Sequence, residues 1–237
     1  MPKISICMSF FQRQELYDRT LETIRKSKVY KDIEIIVADD ASEPPLNGRE
    51  ADVITINKKD KWYHNPCIPY NLTFKEAKGD IIIIQNPECM HVGDVLKYAL
   101  DNVRDGVYVS FGCYAINDFQ TRMLRMQRTP EIENKPFGRQ KNGWYNHPIH
   151  RPVGYHFCSA ITRNDLEKIG GGFDERYANG VAFDDDALIR SVRRAKIEVV
   201  IPINPFVIHQ FHTHFTYDDP KVWMPLHAIN QSLFNNT

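Results

Sequence analysis

The sequence predicts an α/β fold, with a central, mostly parallel sheet flanked by helices. Three observations carry this expectation. Short apolar runs alternate with amphipathic stretches through the first half of the chain. Two of the runs, residues 33–38 and 80–84, read as strands buried on both faces. Each is followed at once by polar residues, Asp39-Asp40 in one case and Asn86-Pro87-Glu88 in the other. In open α/β sheets that edge, outside the carboxyl ends of the strands, is where ligands bind.

The elements follow in order. Residues 3–8 form a short apolar strand, and residues 14–26 an amphipathic helix with Leu16, Thr20, Leu21 and Ile24 on one side. Residues 33–38 and 53–56 are strands. Residues 70–77 form a helix that stops at Gly79 and leads into the four-isoleucine strand at 80–84. A helix over 92–103 and a strand over 107–111 complete the first half. Residues 120–152 hold charged, aromatic and turn residues with little periodicity and read as a long functional loop. A strand at 155–162, a short helix at 163–169, a helix at 183–194, strands at 198–201 and 206–209 and a closing helix at 221–233 follow. No linker divides the chain. Residues 1–237 therefore read as one domain, with a nucleotide half (1–112) and an acceptor half (113–237).

Composition sets limits. Thirty basic residues balance thirty acidic ones, so no global charge draws the chain to nucleic acid. The five cysteines, Cys7, Cys67, Cys89, Cys113 and Cys158, are scattered and never form a CxxC pair. That argues against a disulfide framework or a structural zinc site and fits a reducing compartment. No apolar run approaches the ~20 residues of a membrane span, and the first residues are too short an apolar stretch for a signal peptide. These features predict a cytoplasmic protein without a transmembrane segment.

Five groups of residues carry chemistry. Asp184-Asp185-Asp186 open a predicted helix, and Arg190 follows one turn later. Acids there favour the helix dipole, but three exceed what one cap needs. One carboxylate suits a general base, and the others suit acceptor hydroxyls or an ion pair with Arg190. Asp39 and Asp40 can accept hydrogen bonds from a nucleobase or ribose, or cap a turn. Glu88 is an oxygen ligand suited to Mg²⁺ or Mn²⁺ on a diphosphate. His209, His212 and His214 add imidazoles, which could share one metal if the chain turns between them. Trp144-Tyr145-Asn146-His147 offers aromatic faces beside polar tips, either for a sugar or as a plug packing the loop onto the core.

In this order, these pieces resemble the GT-A fold of family 2 glycosyltransferases over roughly residues 4–212. Gly171-Gly172-Phe173-Asp174-Glu175 matches the family's GGFDE string and is the most specific. Residues 4–13, with Ser9, Phe10 and Arg13, resemble its opening strand and loop. Residues 34–42 resemble its DDxS motif, with Asp40 the better match and Asp39 beside it. Asn71 and residues 77–82 resemble the helix and the A-x-G-[DE] entry to the metal strand. Asp184-Asp185-Asp186 with Arg190 falls where the family has paired acids before Leu and Arg, and registering on Arg190 puts the base at Asp184, with Asp185 as the alternative. One departure stands out: the family's DxD reads Asn86-Pro87-Glu88, an amide in place of the first acid.

The resemblance implies an inverting, metal-dependent glycosyltransferase. Its donor would be a nucleotide-sugar, with UDP-hexose or UDP-N-acetylhexosamine expected. Its acceptor would be a hydroxyl of a glycan or of a lipid- or protein-linked relative. It further implies a donor site of Ser9, Phe10, Arg13, Asp39, Asp40, Asn71 and Asn86. Glu88, His209 and His212 would hold Mn²⁺ or Mg²⁺. Trp144, His147, Asp185 and Asp186 would face the acceptor. The basic stretch at 122–128, with Met123, Leu124 and Met126 interleaved, would give peripheral membrane contact. The alternative is a catalytically impaired domain that binds a nucleotide-sugar or glycan. A nucleotidyltransferase is disfavoured, because residues 9–14 lack the glycines of a triphosphate loop.

Overall fold

A computed structural model describes residues 2–126, 128, 130–213 and 219–237. His214 and Gln127, which belong to the late histidine segment and the basic stretch, lie outside the described residues. The strands are β1 (Ile4–Phe10), β2 (Ile33–Asp39), β3 (Asp52–Thr55), β4 (Ile81–Gln85), β5 (Cys89–Val92), β6 (Val107–Ser110), β7 (Gly112–Ala115), β8 (Gly143–Asn146), β9 (Cys158–Thr162), β10 (Glu198–Val200) and β11 (Phe206–His209). The helices are α1 (Gln14–Ile24), α2 (Cys67–Glu76), α3 (Val95–Asn102), α4 (Asp118–Arg125), α5 (Arg163–Lys168), α6 (Asp184–Arg194) and α7 (Pro220–Asn235).

Seven strands build the main sheet in the order β10-β6-β9-β4-β1-β2-β3. Strand β1 is parallel to both β2 and β4, and β2 is parallel to β3. Strand β9 runs antiparallel between β4 and β6. The isoleucine run of β4 shows why a doubly covered strand needs no polar alternation. Ile81 and Ile83 enter one core with Tyr17, Leu21 and Ile24 of α1 and Val95, Leu96 and Ala99 of α3. Ile82 and Ile84 enter the opposite core with Cys67, Tyr70 and Phe74 of α2 and Leu188, Ile189 and Val192 of α6. Successive side chains point to opposite faces, so a sheet with helices on both sides demands apolar residues throughout.

A second sheet has the order β5-β11-β7-β8. Strand β11 is antiparallel to β5, with His209 opposite Cys89, and parallel to β7. This sheet departs most from the sequence expectation. Residues 89–92 precede α3 as a separate strand, because Cys89 and His91 turn inward while Met90 and Val92 are half-buried. The expected loop over 120–152 contains most of α4 and all of β8. A reciprocal cap starts α4: Asn117 accepts from Gln120 N–H, and Gln120 returns the bond to Asn117 N–H. Its basic side chains are engaged, Arg122 with Asp118 and Arg125 with Glu15 (2.6 Å). Among the described residues, no helix is long and apolar enough to cross a membrane.

Candidate active site

Around the carboxyl ends of β1, β2 and β4 lies a cavity of about 690 Å³. Ser9 comes from β1, Asp40 follows β2, and Asn86 and Glu88 follow β4. Asp184, Asp185 and Asp186 also line it, as do His209 and His212.

Glu88 is the hub of one wall. Its carboxylate is 1% exposed. Oε2 accepts from Arg13 Nη1 at 3.1 Å, while Oε1 lies 3.2 Å from His209 Nε2 and 3.3 Å from His212 Nε2. Burial alone would raise the Glu88 carboxyl, but Arg13 and the two imidazoles outweigh it and hold the group well below the usual range. Burial lowers the pKa of His209, and its contact with Glu88 only partly offsets that. A neutral imidazole is the ligating form. Gln210 sets the geometry: its amide N–H₂ donates to Leu16 O, Thr20 Oγ1 and Glu88 O, and its oxygen accepts from Arg19. The chain between the two histidines is thereby tied to α1. One carboxylate oxygen and two ring nitrogens lie within 4.8 Å of one another. Such a mixed set suits a first-row divalent ion such as Mn²⁺ better than Mg²⁺, which prefers oxygen.

The acids form another wall. Ala182 and Phe183 both adopt left-handed φ (62° and 65°) directly before α6. Non-glycine residues are strained there, so the turn must be held from outside. Asn230 donates to Tyr177 O and Ala182 O, and Asn65 donates to Ala182 O and to Asp184 Oδ1. The first turn of α6 then presents three carboxylates in three environments. Asp184 is raised by burial and by its neighbour Asp185. Asp185 is lowered: burial opposes ionisation, but His156, whose Nδ1 is 2.6 Å from Asp185 Oδ1, outweighs it. Asp186 accepts from the Tyr155 hydroxyl at 2.6 Å. His156 sits edge-on to Tyr70 and Phe173, and Asp185 raises its pKa despite burial.

The remaining expected residues fall into two sets. Asp40 reaches the cavity but already accepts from Lys61 Nζ and the Tyr63 hydroxyl, both at 2.7 Å. Ser9, Arg13 and Asn86 reach it too. Phe10, Asp39, Asn71, Trp144 and His147 are not among its lining residues. Phe10 packs edge-on against Tyr17 in the core. Asp39 accepts from the backbone N–H of Ser42 and of Leu46 and closes the turn after β2. Asn71 makes a reciprocal pair with the backbone of Phe173 and also donates to Glu175. Trp144 packs on Tyr114, Phe206 and the His147 ring, and His147 Nδ1 accepts from Ile149 and His150 N–H.

Sequence reasoning passed over Lys61, Tyr63, Asn65, Tyr70, Tyr155 and His156, all but Tyr63 among the cavity-lining residues. Tyr63 stands behind Asp40. None carries a spacing signal. Tyr155 and His156 are the exception in one respect: they directly precede a buried strand, β9.

The model of the family "Glycosyl transferase family 2" matches residues 5–170, and the chain belongs to this family. The matched region includes Glu88 and ends before the acids of α6. The fold is GT-A, as in its structural neighbours. One is the mannosyltransferase PcManGT from Pyrobaculum calidifontis in complex with GDP-Man and Mn²⁺, at TM-score 0.52 and 14% identity over 87% of this chain and 56% of that one. S. aureus TarS 1-349 aligns at TM-score 0.60 and 12% identity, over 88% of this chain and 60% of that one. Its complex with UDP-GlcNAc aligns at TM-score 0.65 and 11% identity, over 97% and 66%. This chain thus spans little more than half of the first two. No curated protein sequence matches it significantly.

Proposed function

We propose that the protein is an inverting, metal-dependent glycosyltransferase that moves a hexose or N-acetylhexosamine from a nucleotide-sugar to an acceptor hydroxyl. The observation that carries the reading is the pairing, around one cavity, of the Glu88–His209–His212 donor set with the acids of α6. Residues 1–112 would supply most of the donor side and residues 113–237 the acceptor side, within one domain. A UDP-sugar is the favoured donor. Ser9, Asp40 and Asn86 lie where they could meet its nucleoside and ribose.

Glu88, His209 and His212 would hold Mn²⁺, which when bound supplies a Lewis acid for the leaving diphosphate. Arg13 keeps Glu88 ionised and adds positive charge beside that wall. Asp184 accepts the acceptor hydroxyl proton while the hydroxyl oxygen attacks the anomeric carbon. The bond from that carbon to the diphosphate breaks, and its electron pair leaves with the nucleoside diphosphate. A single displacement from the opposite face inverts the anomeric centre. Asp185 stays ionised beside His156, so its charge disfavours ionisation of Asp184 and makes Asp184 the better proton acceptor. Asp186, held by Tyr155, would orient the acceptor.

One observation supports a second reading, a nucleotide-sugar or glycan-binding module: Asn86 stands where the family usually has an acid, and Asn86 Nδ2 lies 3.4 Å from Glu88 Oε1. Turnover of UDP-glucose and UDP-GlcNAc with Mn²⁺, measured for the wild type and Asp184→Asn, separates the two. Equal rates would exclude the catalytic reading.

A further inference from the structure

A second groove, of about 380 Å³, adjoins the first at Asp186, which lines both. Its other walls are Ile189, Arg190, Arg193, Arg194 and Phe234. Arg13, Arg19, Arg25, Arg49, Arg122, Arg125 and Arg176 all pair with carboxylates. Arg190 and Arg193 instead donate to neutral oxygens, as Arg104, Arg151 and Arg163 also do. Arg190 Nη1 donates to Phe234 O (2.9 Å) and Thr237 Oγ1 (3.3 Å). Arg193 Nη2 donates to Val153 O (3.4 Å), and Arg194 Nη2 to Thr237 O (2.9 Å). The bonds of Arg190 and Arg193 position a guanidinium without cancelling its charge. The Arg190 guanidinium also stacks on Phe234, 3.3 Å from the ring centroid.

Three positive charges lie within the last five residues of a helix whose C-terminal dipole end already favours cations. In a chain with no net charge, this is a local excess. Each guanidinium keeps N–H donors that are not used in these bonds, in the fork geometry that matches an oxyanion. Their prior fixing reduces the entropy lost on binding.

We infer that this groove is an acceptor subsite for a phosphate group, and that the acceptor carries that phosphate near the hydroxyl that is glycosylated. The inference rests on the transferase reading, since it takes Asp186 as the boundary of the reaction site. Helix rise sets the span: Arg190 lies about 6 Å, and Arg193 and Arg194 about 10–12 Å, along α6 from Asp186. This is roughly the length of one or two monosaccharide units. Ile189 and the Phe234 ring give an apolar floor for the intervening carbon skeleton.

The test is calorimetric titration of the protein, its donor site saturated with UDP and Mn²⁺, with glucose 6-phosphate, glucose and inorganic phosphate. The wild type and Arg193→Gln/Arg194→Gln are compared, with UDP affinity as the check on folding. The expected result is measurable binding of glucose 6-phosphate, weaker binding of glucose and of phosphate alone, and a loss of about tenfold or more in the double variant. UDP affinity should not change. Equal affinity for glucose and glucose 6-phosphate, or no loss in the double variant, would overturn the subsite. Inorganic phosphate binding as tightly as the sugar phosphate would overturn its assignment to an acceptor. If the sugar phosphate behaves as expected but no nucleotide-sugar is turned over, the transferase reading fails while the anion groove stands.

Discussion

His156 Nδ1 lies 2.6 Å from Asp185 Oδ1, the imidazole buried and the carboxylate half-buried, beside the buried Asp184. The pair divides the neighbouring carboxylates into one held ionised and one pushed toward its protonated form. A cluster of like charges is thereby made chemically unequal.

The pair predicts a pH-dependent contribution to stability. His156 is raised above 6.5, so its share is fully present below 6.5 and is lost as pH rises through the raised value. Asp185 is lowered from 3.8, so its share is present above 3.8 and is lost as pH falls through the lowered value. The melting-temperature gap between the wild type and His156→Gln should therefore be widest in mildly acidic buffer and should narrow as the buffer becomes alkaline. A gap independent of pH would show that the imidazole is neutral.

Asp184 predicts opposite effects on stability and turnover. Its folded pKa is raised, so the ionised form costs stability at neutral pH. Asp184→Asn should raise the melting temperature at pH 7 and lower turnover roughly 10²–10⁴-fold. In the wild type, turnover should decline as pH falls through the raised value, because the base must be ionised. A variant that is both slower and less stable would point to a structural role for this carboxylate.

The donor set of Glu88, His209 and His212 predicts stabilisation by metal. Mn²⁺ at one hundred times its Kd should stabilise the wild type by about 2.7 kcal/mol. His209→Ala/His212→Ala should lose that increment, and EDTA should abolish it in the wild type. Thermal shift with and without UDP reads both. An identical Mn²⁺ shift in the double variant would place the ion elsewhere.

Asn71 predicts a cost in folding. Its amide answers both the N–H and the carbonyl of Phe173, in a buried setting. Removing it strands two backbone groups, and Asn71→Ala should cost about 2–4 kcal/mol in denaturant unfolding. Gly172 reports on the same contact, because a Cβ there would clash with Asn71 Oδ1. A loss below about 0.5 kcal/mol would mean that water replaces the amide.

Much of the main sheet could be read in advance because its signals are local. The isoleucines of β4 declare a strand covered on both sides, and the acids of α6 a helix start. The second sheet was harder to read. Strands β5, β7 and β8 have four residues each, too few for a period to stand out. They exist because β11 returns from the far end of the chain to lie between β5 and β7. Helix α4 did carry a signal, since Asn117 and Gln120 form a capping pair, but the charged residues around it concealed the short amphipathic pattern. In the site, Glu88 and the late histidines were legible as ligand types. His156 was not, because a single histidine before a strand has no pattern, and only the fold brings it against Asp185. Asp39 and Asp40 were adjacent and alike in sequence. A one-residue difference turns Asp39 onto backbone N–H groups and Asp40 toward the cavity.

The position of β11 also fixes the moment at which Glu88, His209 and His212 can come together. Glu88 belongs to the early part of the chain, and its two imidazole neighbours arrive more than a hundred residues later. The strand that bears His209 lies between β5 and β7, both of which come earlier in the chain. A ribosome that has made the first two hundred residues has therefore made nearly all of the sheet and all three acids of α6, yet neither His209 nor His212. The growing chain cannot assemble the three side chains until β11 is in place.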